Sequence, residues 1–315
     1  MNFNGPVVAL SGGVGGAKLA LGLYRVLPAD TLSVIVNPGD DFEHLGFTVC
    51  PDLDTLLYTL SGEANPELGW GRRDETWTFM AALEKLGGEG WFRLGDGDLA
   101  THVERTRRLI AGEPLSAVMD DFRRRLGITA RLLPASDDKV RTRLDTDRGR
   151  LDFQDYFVRL RCEPAVRRLE FAGAETARAN GDALAALADP RLQAVVICPS
   201  NPFISIDPIL AVPGLRDALR RSRAPVVAVS PIIGGKAVKG PTAKMMAELG
   251  LPVDAAAVAR HYRDFVDVYV ADEGDRDAVA GLDLPVVLAP TLMVTLEDRE
   301  ALARVVLRAA AAHRR

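Results

Sequence analysis

The stretch Pro6-Val7-Val8-Ala9-Leu10-Ser11-Gly12-Gly13-Val14-Gly15-Gly16-Ala17-Lys18, followed by LALGLYRVL over 19–27, decides the fold. A short apolar run enters a glycine loop, and the loop enters an amphipathic segment that Pro28 stops. This is the pattern of a buried strand, a phosphate-binding turn and a helix. Glycine lets the backbone take unusual dihedrals and lets an anion approach closely. The helix start adds its partial positive charge and its unpaired N–H groups. Two familiar fingerprints fail here. The dinucleotide pattern beginning at Gly13 meets Lys18 where its third glycine belongs, and Ala17-Lys18-Leu19 lacks the Gly-Lys-Ser/Thr of a P-loop. Neither a hydride-transfer domain nor an ordinary ATPase follows. The bland alternative is a glycine-rich strand–helix turn with no ligand.

Outward from this turn, LSVIV at 32–36 is a second buried strand, so strand, helix and strand form a right-handed parallel unit. Ligands of open parallel sheets sit beyond the carboxyl ends of the strands. The segment leaving that end holds Asp40, Asp41, Glu43, His44, Asp52 and Asp54 between positions 37 and 54. Such an oxygen-rich cluster suits Mg²⁺, a hard cation that bridges carboxylates and phosphates. Asp40 and Asp54 read as metal or substrate contacts, with Asp41 and Asp52 as alternates. Asp52 is equally placed to cap a helix beginning at Leu53. His44 reads as a structural hydrogen-bonding residue.

Residues 62–127 read as a mainly helical segment, with helices over 75–86, 99–111 and 115–126. Trp70, Trp77 and Trp91 fall close together in it. An aromatic group of this kind stacks a flat ligand or packs helices. Asp96, Asp98, Thr101 and His102 sit where a loop feeds a helix. Residues 128–172 alternate apolar and polar (ITARLLP, KVRTRLDT, GRLDFQDYFVRL, AVRRLEF) and read as an antiparallel insertion. The parallel pattern resumes with a helix at 176–187, then AVVIC at 194–198 running into Pro199-Ser200-Asn201-Pro202, and PVVAV at 225–229 running into SPIIGGKAVKGP. The strand-end loops thus converge on one nucleotide-sized edge. The fold class is α/β: a Rossmann-like, mainly parallel sheet with helices on both faces, plus the helical segment and the hairpin insertion, in a single domain over 1–315. The net charge of −4 argues against a general nucleic-acid or membrane-surface binder. Cys50, Cys162 and Cys198 form neither a zinc pattern nor an even disulfide set. With no signal segment read at the start, the expected location is the cytoplasm.

SGGVGGAK, VNPGDDFEHLG, CPDLDTLLYTLSG, GWGRRDETW, LGDGDLATH, LLPASDD, FQDYFV, PSNPFISIDPIL and VVAVSPIIGGKAVKGP, in this order, resemble the CofD family of 2-phospho-L-lactate transferases. The resemblance implies a reaction in deazaflavin coenzyme (F420) biosynthesis. A phospho-acid (phospholactyl, phosphoenolpyruvyl or a related three-carbon acid) passes from a guanylylated diphosphate donor to the ribityl 5′-hydroxyl of the deazaflavin precursor Fo. GMP is released and Mg²⁺ is required. It implies Fo contacts at Asp54 and Arg93, with Trp91 and His102 nearby, and catalytic roles for Asp40 and Asp54. The donor side falls to Ser11, Gly12, Gly13, Gly15, Gly16, Lys18, Ser200, Asn201, Ser230, Ile232, Gly234 and Lys236. A homodimer is expected. The alternative is a regulatory nucleotide-sugar-binding protein of the sister branch, without turnover. Asp207 departs from the pattern, which has glycine there.

Overall fold

The computed structural model describes residues 3–66, 70–237 and 240–313. Seven strands form the main sheet: β1 (Val7–Ser11), β2 (Leu32–Val36), β3 (Arg131–Pro134), β4 (Ala194–Ile197), β5 (Val226–Val229), β6 (Val268–Ala271) and β7 (Val286–Leu288). Their spatial order is β7-β6-β5-β4-β1-β2-β3, and every pair is parallel. Chain order reverses beside β1, so the first strand lies between β2 and β4 with its carboxyl end at the switch point, where doubly wound sheets bind ligands.

Both faces of the sheet are covered, which explains the unbroken apolar runs. Along β1, Val7 and Ala9 face one core with Leu19, Leu23, Leu53 and the C-terminal helix Leu296–Ala312. Val8 and Leu10 face the other, with Ile206, Leu215 and Val258. Helix α1 (Gly13–Val26) lies in the first layer beside α2 (Pro51–Ser61). Helices α3 (Thr78–Lys85), α4 (Asp96–Ile110) and α5 (Leu115–Arg125) make up the helical segment.

Two sequence readings are corrected. ITARLLP is not part of an antiparallel insertion, because Arg131–Pro134 pairs in parallel with β2 at the sheet edge. Leu132 is buried in one core and Leu133 in the other, so this strand is covered on both sides. The antiparallel unit contains Arg141–Thr146, Gly149–Asp152 and Val166–Ala172. The helix read at 176–187 is Gly181–Ala188, because Asn180 caps it by accepting the N–H groups of Asp182 and Ala183.

Gly22 lies at a close contact between α1 and the C-terminal helix: a Cβ there would run into the backbone carbonyl of Arg299. Alanine is the better helix former by about 1 kcal/mol. The overpacking cost of about 1–3 kcal/mol should still win. Gly22→Ala is therefore expected to lower the denaturation midpoint in urea; a raised midpoint would show that the two helices separate freely.

Candidate active site

The site is built on Asn37, fully buried where β2 ends. Its Nδ2 donates to Asp40 Oδ1 at 2.8 Å, Asp52 Oδ2 at 2.8 Å and the carbonyl of Ile204 at 3.0 Å, and its Oδ1 accepts the N–H of Gly39. An amide nitrogen carries two hydrogens, so three acceptors share them. One side chain thereby ties β2, α2 and the loop after β4 together. The sequence reading gave Asn37 no role.

Asp52 does not cap its own helix, which begins at Pro51 without a side-chain cap. Its Oδ1 instead accepts the N–H of Gly13 at 2.6 Å, placing a carboxylate at the start of α1. From the other side, Ser200 Oγ accepts the N–H of Gly12 at 3.3 Å and donates to the Gly12 carbonyl at 2.7 Å. Gly13 has φ of 65°, in the left-handed region, and Gly16 is pressed against the hydroxyls of Ser11 and Ser200. Part of the glycine content therefore serves close packing between strand ends. With Gly12 and Gly13 engaged, Val14 and Gly15 carry the first-turn N–H groups that helix geometry leaves open.

Asp40, Asp41, Asp52 and Asp54 are all buried. Burial and the neighbouring Asp52 hold the Asp40 carboxyl well above its ordinary range, against the hydrogen bond from Asn37. Burial pushes Asp41 up to about 7, against the charges of Arg141 and Arg105. It pushes Asp52 up to about 6, against the hydrogen bonds from Asn37 and Gly13. Asp41 Oδ1 is buried without a hydrogen-bond partner among the described residues. Hard oxygen donors, mutual repulsion and an unpartnered oxygen fit a hard divalent cation.

Asp54 lies in a second network. Arg105, fully buried on α4, forks it: Nη1 donates to Oδ2 at 3.1 Å and Nη2 to Oδ1. His102 Nδ1 lies 3.7 Å from Asp54 Oδ2, and its Nε2 lies 3.2 Å from Asp98 Oδ2. Tyr58 donates its hydroxyl to Asp98 Oδ1 at 2.6 Å. Against burial, His102 and Tyr58 hold the Asp98 carboxyl below the usual range. One ligand atom each from Asp54, Asp98 and His102 lies within 4.8 Å of the others, an acidic and histidine cluster able to take a cation. Asp40, Asp41 and Asp52 lie outside that trio. Sequence reasoning missed Arg105. The available signal was a helix whose inward face carries His102, Arg105 and Thr106 in place of apolar residues.

The structure brings together Ser11, Gly12, Gly13, Gly15, Gly16 and Ser200 with the carboxylates. Other sequence candidates have separate surroundings. Lys18 Nζ donates to the carbonyl of Met293 at 2.7 Å. Arg93 stacks on Trp77 at 4.9 Å. Trp91 packs with Phe42, His44 and Phe92 beneath Arg159, and Trp70 is exposed, so the tryptophans do not form one wall. Asn201 accepts the N–H of Phe203. Ser230 exchanges hydrogen bonds with the backbone of Ile232. The N–H groups of Gly234 and Gly235 are taken by the Asp275 carboxylate, at 3.0 and 2.8 Å, and Lys236 is exposed at the adjoining hairpin. Val238 and Lys239 of that loop, and Gly69 of GWGRRDETW, lie outside the described residues. Asp207 pairs with His261 Nε2 at 2.8 Å.

Residues 7–283 match the family model described as 2-phospho-L-lactate transferase CofD. This chain belongs to the CofD family. It is 42% identical over 311 residues to the phosphoenolpyruvate transferase of Kitasatospora aureofaciens, covering 96% of each chain. It is 42% identical over 301 residues to that of Mycobacterium tuberculosis strain H37Rv, covering 88% of this chain and 90% of the other. The crystal structure of a UPF0052-family protein, BH3568 of Bacillus halodurans, superposes with a TM-score of 0.65 at 16% identity over 97% of this chain and all of the other, a likeness of fold alone. The CofD-family chain is a transferase that moves a phospho-acid group from a nucleotide-linked donor. Among the described residues, no helix is long and apolar enough to cross a membrane.

The carboxylates give a pH test. Unfolded Asp titrates near 3.9, so between there and about 7 the folded state holds more protons at Asp41, and up to about 6 at Asp52. Stability therefore falls as pH rises through that window, by up to about 1.4 kcal/mol per pH unit per group. Relative to Asp41→Asn, chelator-treated wild type is expected to lose melting temperature from pH 5 to 7.5. Taking the difference cancels opposing groups such as His44, whose imidazole pKa burial lowers. A constant or growing advantage for wild type would contradict the reading.

Proposed function

We propose that this chain transfers a phosphoenolpyruvyl group from a guanylylated diphosphate donor to the ribityl 5′-hydroxyl of Fo, with release of GMP. The choice of acid follows the names of the relatives at 42% identity. The observation that carries the reading is the Asp52–Gly13 contact, which sets the start of α1 directly against the buried carboxylates. A site with anion-binding N–H groups on one side and a cation-binding cluster on the other suits a diphosphate.

In this reading the open N–H groups of Val14 and Gly15 receive a donor phosphate at the helix start, with Gly16 keeping the turn packed closely against Ser11 and Ser200. Asp40, with Asp41 and Asp52, would hold Mg²⁺, and the ion would supply positive charge against the donor's diphosphate. Asp54 orients the acceptor hydroxyl, and Arg93 and Trp91 are assigned to Fo by the family resemblance. Ser200, Asn201 and the 230–236 loop border the guanosine. The acceptor oxygen forms a bond to phosphorus, the bond to the GMP oxygen breaks, and the hydroxyl proton passes to a carboxylate of the cluster. Positioning and charge neutralisation supply most of the acceleration in such a step. The same reading has the protein as a cytoplasmic homodimer with one catalytic unit over 1–315.

Purified protein given Fo, the guanylylated phosphoenolpyruvate donor and Mg²⁺ is expected to release one GMP per product formed. Asp54→Asn should lower kcat by about 100-fold or more while unfolding as cooperatively as wild type. Tight donor binding without GMP release would favour the regulatory reading of the sister branch.

A further inference from the structure

We infer that Arg105 is a positioning residue for the transfer, holding Asp54 in the one orientation that serves the acceptor hydroxyl. The inference rests on the transferase reading above and concerns a side chain that no sequence motif singled out.

The four carboxylates are not held alike. Asp40 and Asp52 share the neutral amide of Asn37. Asp41 faces Arg141 only at 3.9 Å. Asp54 alone is gripped by a fork, both guanidinium nitrogens meeting both oxygens. A bidentate pair fixes the carboxylate plane as well as its charge. The fork uses one lone pair on each oxygen and leaves the outward lone pairs in fixed directions.

Arg105 is itself immobilised. Its Nη1 also donates to the carbonyl of Thr48 at 3.3 Å, Nη2 reaches the sulfur of Met119, and His102 lies one turn back against the same carboxylate. The arrangement is a poor choice for stability alone. A fully buried ion pair commonly returns less than its desolvation costs, and apolar residues of similar volume do as well or better. Arg105 Nε is in addition buried without an acceptor among the described residues. Tolerating both penalties beside a candidate catalytic carboxylate points to orientation as the gain.

Arg105→Lys keeps the charge and loses the fork. It is expected to unfold cooperatively, to lower kcat by about 30-fold or more, and to leave the donor KM within about threefold. In an Asp54→Asn background, the same substitution should lower kcat by less than about twofold, because the oriented group is already gone. Wild-type kcat in Arg105→Lys, or an equal loss in both backgrounds, would overturn the inference. Should Arg105→Lys fail to fold, Asp54→Glu decides: it keeps Arg105 and the charge but moves the carboxylate off the fork. Its kcat is expected within about threefold of Asp54→Asn, and near-wild-type turnover would overturn the inference. A wild-type protein that binds Fo and donor yet releases no GMP would overturn the transferase reading itself, and with it any role for Arg105 in transfer.

Discussion

Asn37 donates one side-chain amide to two buried carboxylates, Asp40 and Asp52, and to the backbone of Ile204. The rest of the site depends on that arrangement. Carboxylates packed this closely away from water repel one another and resist ionisation. A neutral donor at their centre satisfies several oxygens without supplying the full positive charge that would remove the demand for a cation. Asp52 passes the constraint on to Gly13 and so to the axis of α1. Ile204 passes it to the loop after β4, whose Ser200 returns to Gly12.

The sheet makes this closure possible. β1 lies between β2 and β4, so the glycine loop, the acidic segment and the Ser200 loop leave adjacent strands in the same direction. The local features then reinforce one another. Tight loop packing requires glycine at 12 and 16, and a carboxylate at the α1 start offsets the helix charge. Beside this lies the Arg105–Asp54–His102–Asp98 network, in which charges are paired. The site therefore divides into a part that lacks positive charge and a part that already holds it. In the proposed transfer the first part would meet the charged donor and the second the neutral hydroxyl.

Much of the sheet was legible in the sequence because strands covered on both faces read as continuous apolar runs, as PVVAL, LSVIV and AVVIC do. ITARLLP was misplaced because its flanks alternate like a hairpin, and only burial of both Leu132 and Leu133 separates the two readings. At the site, the acidic positions could be found by type and by their place after a strand. Their partners could not. Arg105 sits in LATHVERTRRLI, where charge on a helix reads as a solvated face, and its burial follows from the packing of α4 against Thr48 and Met119. The glycines of the 230–236 loop looked like a second anion site, but Asp275, some forty positions away, occupies their N–H groups. Sequence spacing carries no sign of such a long-range carboxylate.

In the proposed mechanism the Asn37-anchored carboxylates hold the divalent cation that meets the donor's diphosphate. Mn²⁺ in place of Mg²⁺, with guanosine diphosphate standing in for the donor's nucleotide and diphosphate, tests it by phosphorus-coupled electron–nuclear double resonance. A bound Mn²⁺ coupled to phosphorus is expected in wild type, with its loss in Asp40→Asn protein that remains folded. A phosphorus-coupled Mn²⁺ of unchanged affinity in Asp40→Asn would contradict it.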